Sequence, residues 1–246
     1  YTIQISSNPD MLSYLLIDSL ITDTTRTISA LLQRDLLHYW RVIAKDSNNQ
    51  LAGASAIWSF TPTFSIYLTV KCAVQAMLIP IPGTHARRDT FAVYLRNNLS
   101  PYQIVDSAKA YLSNTGAGTF SFSNAVNGVN YYLQLKHRNS IETWSNTGLA
   151  YIPGTTLNHD FTFAQNMAFG LNQIQVDASP LRFALYSGDV NQDGTIDASD
   201  LSNVDNDAFS SVSGYVNTDL NGDDLVDATD VSIVDNNAFN AVSVVR

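Results

Sequence analysis

The feature that most constrains this chain is a pattern of loop and helix that occurs twice near its C-terminus. The first copy begins at Asp189 and the second at Asp219, an offset of 30 residues. Each copy starts with a segment rich in Asp and Asn and continues with apolar residues at helical spacing. Since self-similarity at a fixed period marks a repeated structural unit, we expect two loops that are each followed by one helix.

Both loops carry oxygen-bearing residues in the order that a twelve-residue calcium loop requires. Calcium takes about six to eight oxygen ligands, which such a loop supplies from positions 1, 3, 5, 7, 9 and 12, the seventh through its backbone carbonyl. The sequence therefore predicts one Ca²⁺ ion in each loop. The predicted ligands are Asp189, Asn191, Asp193, Thr195, Asp197 and Asp200 in loop 1 (residues 189–200), and Asp219, Asn221, Asp223, Leu225, Asp227 and Asp230 in loop 2 (residues 219–230).

Two further positions shape the loops. Gly194 stands at position 6 of loop 1, where the chain must turn sharply, and Asp224 takes that position in loop 2. Position 8 is apolar in both loops, with Ile196 and Val226. We expect these two side chains to point inward and to join the loops to each other by a short stretch of backbone pairing.

The acidic charge of the chain is concentrated in this region. Residues 188–246 contain twelve Asp and one Arg, a net charge of −11, whereas residues 1–187 have a net charge of +2. An acidic stretch of this kind can be a solvated tail, but the repeated order of ligands favours a metal-binding domain whose fold depends on cation. The sequence shows no basic cluster suited to nucleic acid, so we expect no nucleic-acid partner.

The repeat also points to a family. Residues 182–186 have the pattern of a strand that runs into loop 1, so each repeat is a loop with one exiting helix. Over residues 188–242 this arrangement resembles a dockerin module of cellulosomal and related surface proteins. The resemblance implies a small two-helix domain that folds on two calcium ions and binds a partner protein, such as a cohesin-like protein, through its helices. It implies as partner-binding residues Leu201, Val204, Phe209, Val231, Val234 and Phe239.

Residues 1–62 read as short strands with polar turns. The Trp-Arg-Val of residues 40–42 and the Trp-Ser-Phe of residues 58–60 make this region similar to the second half of a fibronectin type III domain, with His38 where that family usually has a tyrosine. The resemblance implies a partial β-sandwich that lacks its first strands. We expect either a fragment of a longer protein, or a sheet that another chain completes by strand exchange at Tyr1 to Ile5.

Residues 63–187 contain further strand-like runs, separated by turns rich in Pro, Gly, Asn and Ser. The pattern is similar to prealbumin-like or carboxypeptidase-regulatory-like modules of secreted bacterial proteins, which implies a second β-sandwich. The predicted fold class is therefore mainly β, with two tandem immunoglobulin-like β-sandwich domains (1–62 and 63–187) followed by a small α-helical, dockerin-like calcium-binding domain (188–246). The strand candidates of the second domain are 64–77, 90–96, 104–112, 118–122, 130–137 and 157–163.

The sequence offers little for catalysis. Its four histidines have no metal-ligand spacing, and no nucleophile-elbow glycines surround a serine. The candidate polar sites are His159 with Asp160, and residues 137–144, and we interpret both as polar loops at the end of a sandwich. An alternative is a polysaccharide-stacking platform made of Trp144, Arg138, Asn139 and Tyr151.

These features predict a non-catalytic, calcium-stabilised assembly or adhesion module, secreted and placed at a bacterial cell surface. Because Cys72 is the one cysteine and lies in an apolar run, we expect a buried thiol, no internal disulfide and stabilisation by calcium instead. No apolar run approaches the roughly 18 residues of a membrane span. Two alternatives stay open: a subunit of an extracellular filament or surface layer built by strand complementation between copies of the chain, and a carbohydrate-binding accessory region of a secreted enzyme.

Overall fold

The structure, a computed structural model, describes residues 1–19, 21–28, 32–33, 36–46, 48, 50–62, 65–151 and 157–246. The chain divides into two compact units, Tyr1–Phe64 and Ser65–Arg246. The larger unit contains both the predicted second β domain and the C-terminal loops and helices. The chain is mainly β and has several sheets, which confirms the predicted class.

The first unit is built around one antiparallel sheet of five strands. Alternate residues of a strand share one face of the sheet, so Ile3 lies opposite Val42 and Ile5 lies opposite Trp40 on a common apolar face. The described part of this unit is therefore a single layer, where the sequence predicts part of a sandwich. The strands are β1 (Thr2–Ser6), β2 (Leu16–Asp18), β3 (His38–Lys45), β4 (Leu51–Ala54) and β5 (Trp58–Phe60).

Strand β1 is an interior strand of that sheet. It pairs with β2 along one edge and with β3 along the other. The prediction that another chain exchanges a strand at Tyr1 to Ile5 is wrong, because the backbone groups of β1 already have partners within the chain. Among the described residues, β2 forms one edge of the sheet, and β4 and β5 form the other.

The second unit begins with a β-sandwich. One sheet has the order β10-β9-β12-β13, with β14 also paired to β12, and the other has the order β11-β6-β15, in which β15 runs parallel to β6. The strands are β6 (Ile66–Lys71), β7 (Leu78–Ile79), β8 (Thr84–His85), β9 (Asp89–Asn97), β10 (Ile104–Leu112), β11 (Ala117–Phe122), β12 (Asn130–His137), β13 (Ser140–Trp144), β14 (Leu149–Ala150), β15 (Leu157–Asp160), β16 (Ile174–Ala178) and β17 (Leu181–Ala184).

Alternation along the strands places the core between these two sheets. On β6 the buried residues are Ile66, Leu68 and Val70, and β9 alternates in the same way. Side chains of both sheets belong to one buried cluster, as in face-to-face sheet packing. Cys72 is part of this cluster and is free, so the prediction of a buried thiol is confirmed. Of the strand candidate 64–77, residue 64 lies outside the described residues, and strand β6 ends at Lys71.

The C-terminal region contains two α-helices, α1 (Ala198–Phe209) and α2 (Ala228–Phe239), each of which follows one loop as predicted. Asp197 and Asp227 are their N-caps, and each takes part in a capping box with the Asp three residues later. The capping residues are the Asp residues at positions 9 and 12 of each loop. The same carboxylates that we expect to bind calcium therefore also begin the helices.

Ile196 and Val226 point inward as predicted, since both are buried in one cluster. The predicted backbone pairing between the two loops is wrong. The Ile196 N–H donates to the carbonyl of Val242 at 2.9 Å, and the Val226 N–H donates to the carbonyl of Val212 at 2.9 Å. Each loop thus pairs with the segment that follows the helix of the other copy. Val212 and Val242 also close the helix ends, because their N–H groups donate to the carbonyls of Asp207 and Asn237. Their side chains pack in the core of the helical region.

Candidate functional site

The last Asp of each loop accepts hydrogen bonds from backbone N–H groups at both ends of that loop. In loop 1, Asp200 accepts hydrogen bonds from the N–H groups of Val190 at 2.9 Å, Asn191 at 3.2 Å and Asp197 at 3.1 Å. A single carboxylate therefore binds both ends of the loop. In loop 2, Asp230 accepts the equivalent hydrogen bonds from Leu220 at 2.8 Å, Asn221 at 3.1 Å and Asp227 at 3.0 Å.

The first Asp of loop 1 has an unsatisfied oxygen. Asp189 is 2% exposed, and its Oδ1 is buried without a hydrogen-bond partner. Burial, together with the charges of Asp200 and Asp193, raises the pKa of Asp189 to about 6. A buried carboxylate oxygen without a donor is costly, and a cation bound among these three carboxylates would remove that cost. Asp189 therefore has the free carboxylate oxygen that the predicted calcium ion of loop 1 would need at the first position.

The predicted ligands of each ion lie in the same loop, but their side chains do not converge on a single point. Within the described part of the chain, no group of three or more His, Cys, Asp or Glu side chains forms a ready metal centre. In loop 1 the Asn191 amide donates to Asp193 at 2.9 Å and to Ser199 at 2.9 Å, so these side chains would have to turn toward an ion. Both calcium sites stay predictions.

The first Asp of loop 2 is surrounded differently. Asp219 is fully buried, and its Oδ1 accepts a hydrogen bond from the Gly222 N–H at 2.8 Å. Its Oδ2 lies 3.6 Å from Arg87 Nη1 and 3.9 Å from Arg138 Nη2. Arg87 Nη1 also lies 2.6 Å from Asp224 Oδ1. Both arginines belong to the β-sandwich part of the unit, so loop 2 meets two positive charges from outside the helical region.

Arg138 is held in place by the buried carboxylate of Asp89 and by a backbone carbonyl. Its Nε donates to Asp89 Oδ2 at 3.0 Å, and another guanidinium nitrogen donates to the carbonyl of Val216. Tyr215 also donates to Asp89, and His137 Nε2 lies 3.2 Å from the same carboxylate. Burial would raise the pKa of Asp89, but His137, Tyr215 and Arg138 outweigh it and hold that pKa well below its usual range.

The turn between β12 and β13 connects the sandwich to both loops. The Asn139 side-chain amide donates to the carbonyl of Asp219 at 2.9 Å, and the Asn139 carbonyl accepts from the N–H of Gly188, just before loop 1, at 2.7 Å. Residues 137–144 are buried apart from Arg138, which is nearly so. The interpretation of this segment as a polar loop at the end of a sandwich is therefore wrong, since it lies at a buried junction.

The other candidate polar residues are structural as well. His159 Nε2 lies 3.1 Å from the carbonyl of Met167, and burial lowers the pKa of this histidine. Trp144 is only 5% exposed and donates to Glu142 at 2.7 Å. Arg96 covers its ring at 5.4 Å. The predicted sugar-stacking platform is wrong in this form, because stacking needs an exposed aromatic face.

The predicted partner face divides into exposed and buried members. Val204 and Val234 are fully buried in the core of the helical region, so naming them as partner-binding residues was wrong. Phe209 is 92% exposed and Phe239 is 89% exposed, at the equivalent last positions of α1 and α2. Between the helices lies a groove of about 370 Å³, lined by Leu201, Ser202, Asp205, Val231, Ser232 and Asp235.

Several residues of the junction have no distinctive signal in the sequence. Arg87 and Asp89 lie far from both loops along the chain, Tyr215 precedes loop 2 by only four residues, and none of the three belongs to a periodic pattern. One signal was present, since loop 2 differs from loop 1 in having Gly222 and Asp224 where loop 1 has Gln192 and Gly194. That difference indicates a neighbour at loop 2 but does not identify it.

No family model and no curated protein matches the sequence. Two solved structures of type II Cohesin-X-Dockerin complexes from Acetivibrio cellulolyticus are similar to the chain. A C-terminal interface mutant matches with 16% identity, 70% of this chain, 94% of the other chain and a TM-score of 0.39. An N-terminal interface mutant matches with 19% identity, 71% and 94% coverage and a TM-score of 0.37. Likenesses this weak carry no argument about function.

Among the described residues, no helix has the length and apolar character needed to span a bilayer.

Proposed function

We propose that residues 188–246 form a calcium-dependent docking module that joins this chain to another protein. The observation that carries the proposal is the pair of phenylalanines Phe209 and Phe239. They lie at equivalent positions of the two repeats and are almost fully exposed, whereas the valines of the same helices fill the core. Large aromatic side chains that a fold leaves exposed twice in the same place are typical of a protein-binding surface.

Calcium would act on this face through the helix N-termini. The Asp residues at positions 9 and 12 of each loop cap the following helix, so an ion bound in a loop would also fix the start of that helix. At a calcium concentration about one hundred times the dissociation constant, each site would add about 2.7 kcal/mol to stability. Calcium sites of extracellular modules have dissociation constants of about 0.1–1 mM, which suits a secreted protein at a cell surface.

The groove between the helices defines the chemistry of the partner. Asp205 and Asp235 lie along it beside Leu201 and Val231, and residues 188–246 carry a net charge of −11. A partner surface that complements it has an apolar centre and basic groups around that centre. A cohesin-like protein and a second copy of this chain are the two partners to test.

The test compares binding in millimolar calcium and in chelator, by titration calorimetry against cohesin-type proteins and by light scattering for self-association. We expect a one-to-one complex in calcium that chelator removes. The double variant Phe209→Ser, Phe239→Ser should abolish the complex and keep calcium binding. The matched control is Phe163→Ser, which removes another exposed phenylalanine from the β-sandwich part. Binding that survives the double variant, or that persists in chelator, would contradict the proposal.

A second candidate function is the filament subunit, and the first unit favours it. The apolar face of its sheet lines a cleft of about 660 Å³, with Ile3, Trp40 and Val42 among the lining residues. The edge strand β4 is exposed along its whole length, and an exposed edge can accept a strand from another chain. Light scattering of the whole chain should then show oligomers that lengthen with concentration and that Leu51→Pro shortens. A concentrated sample that stays monomeric would exclude the filament.

A further inference from the structure

The two calcium loops differ in the charges that surround their first Asp. Asp189 of loop 1 has a buried carboxylate oxygen without a hydrogen-bond partner. Asp219 of loop 2 stands at the same position and lies within 4 Å of two guanidinium groups, those of Arg87 and Arg138. The first Asp of loop 2 is thus partly neutralised within the chain, whereas the described residues form no ion pair with Asp189.

Two of the positions at which loop 2 differs from loop 1 face Arg87. At position 4, loop 1 has Gln192 and loop 2 has Gly222, where an added Cβ would come within 2.8 Å of Arg87 Cδ. At position 6, loop 1 has Gly194 and loop 2 has Asp224, whose Oδ1 lies 2.6 Å from Arg87 Nη1. One change makes room for the arginine side chain, and the other supplies a carboxylate that holds its guanidinium.

Loop 1 instead contacts the β-sandwich part through the neutral side-chain amide of Gln192. The Gln192 amide donates to the carbonyl of Asp189 at 2.6 Å and to that of Ser140 at 3.4 Å. Gln192 therefore provides a contact at position 4 without adding charge near the carboxylate of Asp189. The two loops are alike in backbone hydrogen bonds and different in electrostatics.

We propose that Arg87 and Arg138 are counter-cations built into loop 2, so that loop 1 is the tight calcium site and loop 2 the weak one. This inference rests on the proposed calcium module and specifies how its two sites differ. A positive charge within 4 Å of a ligand repels an incoming Ca²⁺, and binding at loop 2 requires Arg87 to move away from Asp219. Arg87 can stay on Asp224 when it does so. Arg138 cannot leave as readily, because Asp89 holds it.

The test is a calorimetric calcium titration of the whole chain. We expect two phases whose dissociation constants differ by about tenfold or more, given the charges involved. Asp193→Ala, at position 5 of loop 1, should remove the tight phase, and Asp223→Ala, at position 5 of loop 2, should remove the weak one. Arg87→Gln should tighten the weak phase by about tenfold. The control Arg88→Gln removes the neighbouring arginine, which lies over Tyr111, and should change neither phase.

The outcomes separate this inference from the proposed function. A wild-type chain that binds no calcium contradicts the docking module itself. Any of three results would overturn the proposed difference in calcium affinity between the loops and leave the proposed docking module intact. These results are two phases of equal affinity, loss of the tight phase in Asp223→Ala, and an Arg87→Gln variant that behaves as Arg88→Gln does. Amide hydrogen exchange of the wild-type chain in chelator tests the inference without variants. The backbone amides of residues 219–230 should be protected from exchange, and those of residues 189–200 should not. Equal exchange in the two loops overturns the inference.

Discussion

Asn237 of helix α2 donates a hydrogen bond to the carbonyl of Ser187, at 2.6 Å, where the β-sandwich part leads into loop 1. The same amide donates to Gln75 Oε1 at 2.7 Å. Asp207 is the equivalent residue of α1, and it accepts from Thr218 at 2.6 Å within the helical region. At this position of the repeat, the residue of α2 therefore contacts the β-sandwich part, whereas the residue of α1 contacts the helical region. This is a second difference between the two repeats.

Replacing Asn237 should loosen this attachment. Asn237→Ala leaves the buried carbonyl of Ser187 without its donor, and we expect a loss of about 1–3 kcal/mol in the free energy of unfolding. The control is Asn236→Ala, an exposed neighbour on the same helix, which should change stability by less than about 0.5 kcal/mol. Urea unfolding measures both. Equal effects of the two variants would show that the hydrogen bonds of Asn237 contribute nothing.

A second prediction concerns the space that Gly222 leaves for Arg87. Gly222 and Gly214 both have a positive φ, of 80° and 94°, but an added Cβ at Gly214 has nothing within 4 Å. Gly214→Ala should therefore cost about 1 kcal/mol for the backbone conformation alone. Gly222→Ala should cost about 1 kcal/mol more, since it displaces Arg87 from its carboxylates. Thermal unfolding of the two variants side by side measures the difference, and equal losses would contradict the close packing of Arg87 on the loop.

The third prediction is a pH dependence that arises at Asp89. The folded pKa of Asp89 lies below its ordinary value of 3.8, so its contribution to stability is present above about pH 4 and is lost as the pH falls toward the folded pKa. Asp89→Asn should be less stable than wild type by about 2 kcal/mol at pH 7, and this gap should shrink between pH 4 and pH 2.

The control for that experiment is Asp235→Asn, which changes an exposed carboxylate on α2. Its stability should follow that of the wild type at every pH. Urea unfolding at a constant calcium concentration provides the comparison. A gap between wild type and Asp89→Asn that stays constant down to pH 2 would mean that Asp89 is not the titrating group.

The local pattern of the C-terminal region could be predicted from the sequence, because capping and helix formation depend on near neighbours. Asp197 and Asp227 begin the helices after the loops, as the repeat indicates. The pairing of Ile196 with Val242 could not be predicted in the same way. The alternation and spacing of apolar residues predict that a residue is buried, but they do not predict which distant segment it pairs with.

The partner face shows the same limit. The partner face implied by the dockerin resemblance groups Val204 with Phe209, yet Val204 is buried and Phe209 is exposed. Hydrophobicity alone does not separate a core residue from a binding residue on a helix of this length, since both are apolar. The junction around Asp89 was out of reach for another reason, because its members come from strands and loops that only the tertiary fold brings together.

Native mass spectrometry of the whole chain in millimolar calcium counts the ions bound by the proposed two-calcium module. We expect a mass increase of two calcium ions for the wild type, one for Asp193→Ala, and none after chelation. A wild-type chain that shows no bound calcium, or that keeps two ions in the Asp193→Ala variant, would contradict that proposal.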